Sequence, residues 1–410
     1  LTATKRSFLF LQGPCSPFFA SLADHLRALG HGVQKVNFTS GDVVYWQPRK
    51  AYCFRDKLDA LPQFLERLWL EHGITDQILF GDCRPVHKPA VNKAEAFGIR
   101  THVFEEGYFR PFWITLEREG VNSHSLLPRD PDWFREVGKN LPETPKPLGF
   151  KSPFRVRATH DVVYNVAGLT NLVVFPHYRG HAPDPALLAY ASYIKRVALL
   201  KISQYRDREN IARLLRERIK FYLLPLQLGS DAQITQHSRF TNMLEVLEEV
   251  LASFAHAAPS HTWLVIKIHP LDVGLVNYQK KIRQLTDVYQ LGGRVLYLDS
   301  GNLDMLLKHA TGMVTVNSTA GGLALRMACP TITLADPIYN LPGLTFQGGL
   351  DEFWRETPKP DRELFTYYSR ALIHTAQVNG GFYCRSGIQL AISNADRFLV
   401  AEKSPLEALL

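Results

Sequence analysis

No apolar run in this chain of 410 residues is long enough to cross a bilayer. The longest near the start, residues 8–11, falls far short of the ~18 a spanning helix needs. Lys5 and Arg6 precede that run as in a secretion signal, but Gln12 and Gly13 close it before an apolar h-region forms. A cytoplasmic location is therefore expected. Cysteine is scarce: Cys15, Cys53, Cys83, Cys329 and Cys384 are odd in number and scattered. No pair has metal-ligand or redox spacing, which argues against a disulfide framework or zinc site and predicts free thiols. The sequence also has no glycine-lysine phosphate loop, no HExxH, no internal repeat and no low-complexity segment. Asp130-Pro131-Asp132 has the outline of a metal-binding DxD but sits in a proline-flanked loop. Neither a metal nor a cofactor is expected.

What the chain does have is an ordinary globular balance, 46% hydrophobic and 21% charged, with a formal net charge of +8. A basic protein can sit on nucleic acid, on an anionic membrane or on anionic substrates. The densest stretch, 195–220, carries Lys195, Arg196, Lys201, Arg206, Arg208, Arg213, Arg216, Arg218 and Lys220, interleaved with Asp207, Glu209 and Glu217. The plain reading is a solvated helix face. The sharper one is a surface facing phosphate or anionic lipid, which predicts weak, salt-sensitive membrane attachment rather than insertion.

Hydrophobic periodicity organises the chain into two βα series. In the first, strands are expected at 7–11, 33–38, 77–80 and 101–105, and helices from 17, at 56–71 and at 88–97. In the second, strands are expected at 221–226, 263–268, 294–298, 313–316 and 331–334, with helices at 241–257, 278–289, 303–310 and 319–328. Repeated βα units predict mostly parallel sheets. The expected fold class is α/β, GT-B-like: two Rossmann-like domains with a cleft between them. The expected divisions are 1–150 for an acceptor-side domain, 151–215 for a basic helical connection, 216–345 for a nucleotide-sugar domain and 346–410 for a helical tail. In such sheets ligands bind at the carboxyl ends of the strands.

Four segments lie at such ends. Glu105-Glu106-Gly107 puts two carboxylates before a glycine, with Arg110 following. A carboxylate there can take a proton from a hydroxyl, and Arg110 could bind a donor carboxylate or pair with a neighbouring glutamate. An acidic strand end before an ordinary turn is the simpler alternative. Lys267-Ile268-His269-Pro270 ends a buried strand with an imidazole able to donate to a leaving phosphate, or with a histidine satisfied by its own fold. Asn317-Ser318-Thr319 enters a helix, as a phosphate site or a plain cap. Gln227 to Gln233 is a loop carrying Asp231, a nucleophile, an acid/base or a solvated side chain. Gln12 and Gly13 end the first strand. None of these segments is specific alone.

As a set they resemble the KpsS/LipB family of capsule polysaccharide proteins. The resemblance lies in Leu9 to Pro14 with Pro17-Phe18-Phe19, in Gly30-His31, Asn37-Phe38, Gly41-Asp42 and Trp46, in Glu105 to Pro111, and in Thr115-Leu116-Glu117 and Gly120-Val121-Asn122. The His269-Pro270 and Asn317-Ser318-Thr319 segments extend it over most of the chain. The resemblance implies a retaining β-Kdo transferase using CMP-β-Kdo and a (lyso)phosphatidylglycerol acceptor, starting the poly-Kdo linker of capsular polysaccharide. The family's acidic, His-Pro and Ser/Thr motifs carry over to Glu105-Glu106-Gly107, His269-Pro270 and Ser318-Thr319. Retention implies a covalent double displacement or a front-face path; Asp231 is the nucleophile candidate by position, with Glu105 as general base and His269 also catalytic. The expected donor-binding residues are His269, Pro270, Asn317, Ser318, Thr319, Lys267 and Gln227. Gln12, Gly13, Glu106, Gly107 and Arg110 are further cleft candidates. The expected partners are the anionic inner-membrane surface and other capsule synthesis and export proteins, with no nucleic acid, and the expected place is peripheral to the inner membrane. A sugar-nucleotide epimerase of similar fold and a non-catalytic assembly scaffold are the competing classes.

Overall fold

The computed structural model describes residues 5–180, 186–228, 234 and 236–410. Among them the chain forms two compact units: Leu1–Pro128, Asn140–His181 and Ser369–Leu410 make unit 1, and Arg129–Lys139 and Ala182–Tyr368 make unit 2.

Unit 1 carries strands β1 (Ser7–Phe10), β2 (Gly32–Asn37), β3 (Tyr52–Cys53), β4 (Asp76–Phe80), β5 (Arg100–Glu106) and β6 (Trp113–Arg118). Strands β3, β2, β1, β4 and β5 run parallel, and β6 turns back antiparallel to β5. Strand β1 is apolar on both faces because both are covered. Phe8 and Phe10 pack against the helices Phe18–Ala28 and Arg385–Leu399. Leu9 and Leu11 pack against Leu61–Glu71 and Lys88–Ala94.

Unit 2 repeats the pattern with β7 (Phe221–Pro225), β8 (Trp263–Lys267), β9 (Val295–Leu298), β10 (Gly312–Thr315) and β11 (Thr331–Thr333), all parallel in the order β11-β10-β7-β8-β9. Tyr222 and Leu224 face the helix Met243–Ala257, whose Val246, Leu247, Val250 and Phe254 recur at helical spacing. Leu223 and Val265 face Ile211 and Leu214 of the helix Ala186–Arg216.

The last part of the chain returns to unit 1. A helix (Arg362–Thr375) leads to β12 (Gln377–Asn379), which pairs antiparallel with β6. The sequence reading expected one helical tail there. Three residues of strand within apolar flanks leave too short a period-2 signal to stand out.

The basic stretch is one long helix followed by a turn, and part of its charge is used inside unit 2. Arg206 pairs with Asp207 at 3.3 Å and Asp299 at 3.2 Å. Asp207, read from sequence as one acid of a solvated face, is fully buried and accepts the backbone N–H of Asp299 and Ser300, both at 2.9 Å. Lys201, Arg208, Arg218 and Lys220 remain exposed.

Candidate functional site

At the carboxyl edge of unit 1's sheet the chain gathers polar side chains around Gln12. This glutamine follows β1 and is 1% exposed. A buried amide needs partners for both of its ends. Its Nε2 donates to the Tyr164 and Tyr178 hydroxyls, each at 3.1 Å, and its Oε1 accepts from Arg84 Nη1 at 3.1 Å. Arg84 also donates to the Gly13 carbonyl at 3.2 Å and lies over the Phe80 ring. Tyr164 in turn donates to Asp42 Oδ1 at 2.9 Å, while Asp42 Oδ2 accepts the Phe38 N–H at 2.9 Å. Gly41 permits this closeness, since a Cβ there would stand 2.5 Å from the Tyr164 ring. Burial raises the pKa of both tyrosines, so they act as neutral hydrogen-bonding groups.

Beneath this cluster Lys35 is buried, with Nζ donating to the carbonyls of Leu11 at 2.7 Å and Val36 at 2.9 Å. Burial, resisted by the Asp42 charge, pushes its ammonium down to about 8. Burial also pushes the Cys15 thiol up to about 12, which leaves no thiolate for nucleophilic work near neutral pH.

Two strands from β1, beyond β4, Glu105 and Glu106 end β5. Alternation sends them to opposite faces: Val103, in register with Glu105, joins the core layer of helix Leu61–Glu71, and Phe104, in register with Glu106, joins that of helix Phe18–Ala28. Glu106 pairs with Arg157 at 3.2 Å and accepts from the Tyr383 hydroxyl at 3.3 Å. Burial alone would lower the Arg157 pKa, but Glu106, Tyr383 and Asp161 together outweigh it and hold the guanidinium above its ordinary value. Glu105 Oε1 accepts the Glu106 N–H at 2.9 Å, and its Oε2 lies where a Cβ on Gly81 would be 3.1 Å away. Gly107 is required by the turn, because a Cβ there would stand 2.1 Å from the Trp113 carbonyl oxygen. Arg110 is not the glutamates' partner: its Nε donates to the Gly107 carbonyl at 3.3 Å.

In unit 2, Gln227 after β7 and Asn317 after β10 hold each other. Gln227 Nε2 donates to Asn317 Oδ1 at 3.1 Å, and the Asn317 N–H donates to Gln227 Oε1 at 3.2 Å. Both therefore pin adjacent strand ends together. Lys267, closing β8, is buried, and burial first, then the Arg196 charge, lowers its pKa. His269 follows it, half-buried, and Pro270 opens the turn. The Leu271 N–H donates to His269 Nδ1 at 3.1 Å, which places the proton of the neutral ring on Nε2. Arg196 fixes the same turn by donating to the His269 carbonyl at 3.3 Å. Ser318 Oγ accepts the Ala320 N–H at 3.1 Å, and Thr319, exposed, precedes the helix Ala320–Arg326 without a side-chain cap bond. Asp231 lies outside the described residues.

The site candidates thus gather in two groups, one at each sheet's carboxyl edge. Sequence reading found Gln12 and the glutamates but missed Arg84, Arg157, Tyr164, Tyr178 and Tyr383. Gly41-Asp42 stood among the residues that carry the family resemblance, yet its partner Tyr164 lies far along the chain, where no periodicity points back to it.

Residues 75–383 match the sequence profile of the capsule polysaccharide biosynthesis proteins. The chain is 37% identical over 381 residues to the capsule polysaccharide export protein KpsS of Escherichia coli, covering 92% of this chain and 97% of that one. It is also 37% identical over 393 residues to the capsule polysaccharide modification protein LipB of Neisseria meningitidis serogroup A, covering 93% of each. Among solved structures, the KpsC β-Kdo 2,7 transferase of Thermosulfurimonas dismutans is similar over 88% of this chain and 89% of its own, at 14% identity and a TM-score of 0.44.

Proposed function

Because the chain belongs to the capsule polysaccharide biosynthesis protein family, we propose that it is a retaining glycosyltransferase. It moves β-Kdo from CMP-β-Kdo to a (lyso)phosphatidylglycerol acceptor and so begins the poly-Kdo linker of the capsule. The observation that carries the reading is the split between the two carboxylates of β5. Glu106 is held by Arg157 and Tyr383, while Glu105 turns to the other face of β5 beside Gly81, and we assign Glu105 to receive the acceptor hydroxyl's proton. In unit 2, His269 presents Nε2–H to the CMP phosphate, with Ser318 and Thr319 beside the neighbouring strand end. A single phosphate can be balanced by such donors.

Retention by double displacement takes two steps. The Asp231 carboxylate attacks the anomeric carbon, the bond from that carbon to the phosphate oxygen breaks, and CMP leaves with the electron pair. The acceptor oxygen, losing its proton to Glu105, then attacks the same carbon and expels the aspartate.

Incubating the protein with CMP-Kdo and lysophosphatidylglycerol should give a Kdo-lipid detectable by mass spectrometry. Turnover of a UDP-sugar without lipid product would instead make the chain an epimerase, and turnover of neither would make it a scaffold. His269→Ala should lower turnover by about 10²-fold and weaken CMP binding measured by calorimetry. The turn should keep its fold, because the Arg196 bond to it uses the residue 269 carbonyl rather than the ring. Unchanged CMP binding together with unchanged turnover would remove His269 from the donor site.

A further inference from the structure

The segment 154–174 of unit 1 is built with its polarity reversed. It comprises the helix Phe154–Gly168 and the short helix Asn171–Val174. Several of its polar side chains face the fold. Arg157 holds Glu106, Tyr164 holds Asp42, and His160 Nδ1 meets the Tyr45 hydroxyl at 2.7 Å. Asn171 accepts the Ser40 N–H at 2.8 Å. The apolar side chains Val162, Val163, Val166, Leu169, Leu172 and Val173 face outward, Leu172 and Val173 being 88% and 85% exposed. A helix on a water-facing surface normally has the opposite arrangement. Single exposed apolar residues need no explanation, but a contiguous patch marks a surface that something covers.

We propose that residues 154–174 are the surface by which this protein sits in the interface of an anionic phospholipid bilayer. Charge selects this occupant. Between residues 151 and 180 the chain has Lys151, Arg155, Arg157 and Arg179 but only Asp161 as an acid. Lys151, Arg155 and Arg179 are exposed. An apolar face rimmed by cations is what an interfacial helix presents to anionic lipid. A second copy would set those cations against one another. The attachment differs from one carried by the basic stretch 195–220 alone, because apolar insertion persists when salt screens the charges. The inference rests on the lipid-acceptor reading for its purpose. The same helix that meets the lipid holds Glu106 and Asp42 on its other side, so an acceptor head group would lie about one helix diameter, ~10 Å, from the carboxylates.

The test is flotation of the full chain with vesicles of phosphatidylglycerol and phosphatidylethanolamine, at low and high salt. The wild type should float under both conditions. The double variant Val166→Asp, Leu172→Asp should bind at least about tenfold more weakly, with an unchanged circular dichroism melt because both side chains face solvent. A variant that floats like the wild type would overturn the proposal. So would a wild type that stays in the dense fraction, or one that sediments as a dimer which the variant breaks. The catalytic reading fails separately. Flotation uses no sugar nucleotide, so a wild type that floats but transfers nothing sinks that reading and leaves this surface standing. If both hold, the variant loses transfer to vesicle-borne lipid and keeps it with a short-chain, water-soluble acceptor.

Discussion

Glu105→Gln should reduce Kdo transfer by about 10²–10⁴-fold, the usual cost of removing a general base, with little change in unfolding temperature. The amide keeps the side chain's volume and still offers an oxygen to the Glu106 N–H, the bond that orients the carboxylate. What it loses is the capacity to take a proton. Under the proposed assignment Glu106→Gln should cost less, because the Glu106 carboxylate is already paired with Arg157 and accepts from Tyr383. The contrast with Asp231→Asn separates base from nucleophile. A base-less enzyme can still be glycosylated by CMP-Kdo, so Glu105→Gln should accumulate a sugar adduct visible by intact-protein mass spectrometry. Asp231→Asn should show no adduct at residue 231. Near-normal transfer by Asp231→Asn would dismiss the covalent route through that residue. Near-normal transfer by Glu105→Gln would move the base elsewhere.

The carboxyl-edge position of these groups was legible in the sequence because strands such as 7–11 and 263–268 carry dense apolar runs that stop at polar residues, and the βα order sets 101–105 in the same series. Glycine's meaning was legible in part. The turn at Gly107 was expected from its place after two carboxylates, but the reason, a backbone carbonyl where a Cβ would stand, is a tertiary fact. Three things were hidden. Strands β3 and β12, of two and three residues, are too short to declare a period. Arg110 sits where a salt bridge to Glu106 looks natural, yet Arg157, from a helix 50 positions later, takes that place. The helix Phe154–Gly168 was read as part of the basic connection 151–215, because a local pattern says which residues share a face and not which face turns inward. Its polar side chains turn in because Gln12, Asp42 and Glu106, all far away in sequence, need partners.

Asp76→Ala should destabilise unit 1 by about 3–5 kcal/mol, the range for breaking a buried ion pair and leaving one charge uncompensated. Asp76 begins β4 at the opposite edge of the sheet from the site, and its side chain is fully buried. It accepts from Arg6 at 3.1 Å, from Arg100 at 3.0 Å and from His102 at 2.8 Å. Arg6 and Arg118 also donate to the Ala401 carbonyl, at 2.8 and 2.7 Å, so the cluster ties the C-terminal segment to the sheet. Burial works to raise the Asp76 pKa, but the His102 hydrogen bond and the neighbouring charges outweigh it and hold the carboxyl at about 2. Burial lowers the His102 pKa, so at neutral pH its ring is uncharged and gives Asp76 an N–H rather than a countercharge, which the arginines supply. The sign of the pH dependence follows. A carboxyl depressed from about 3.9 when unfolded contributes about 2–3 kcal/mol above that value. The contribution is lost as pH falls from about 4 through about 2. His102, also depressed, adds a loss in the same direction beginning below its unfolded value of about 6.5. Urea unfolding at pH 7 and again near pH 3 would measure both. The wild type should lose stability between them, and Asp76→Ala should start low and lose less. A variant within about 1 kcal/mol of wild type at pH 7 would mean that the buried arginines find other partners or water, and the cluster would then not be what holds the C-terminal segment to the sheet.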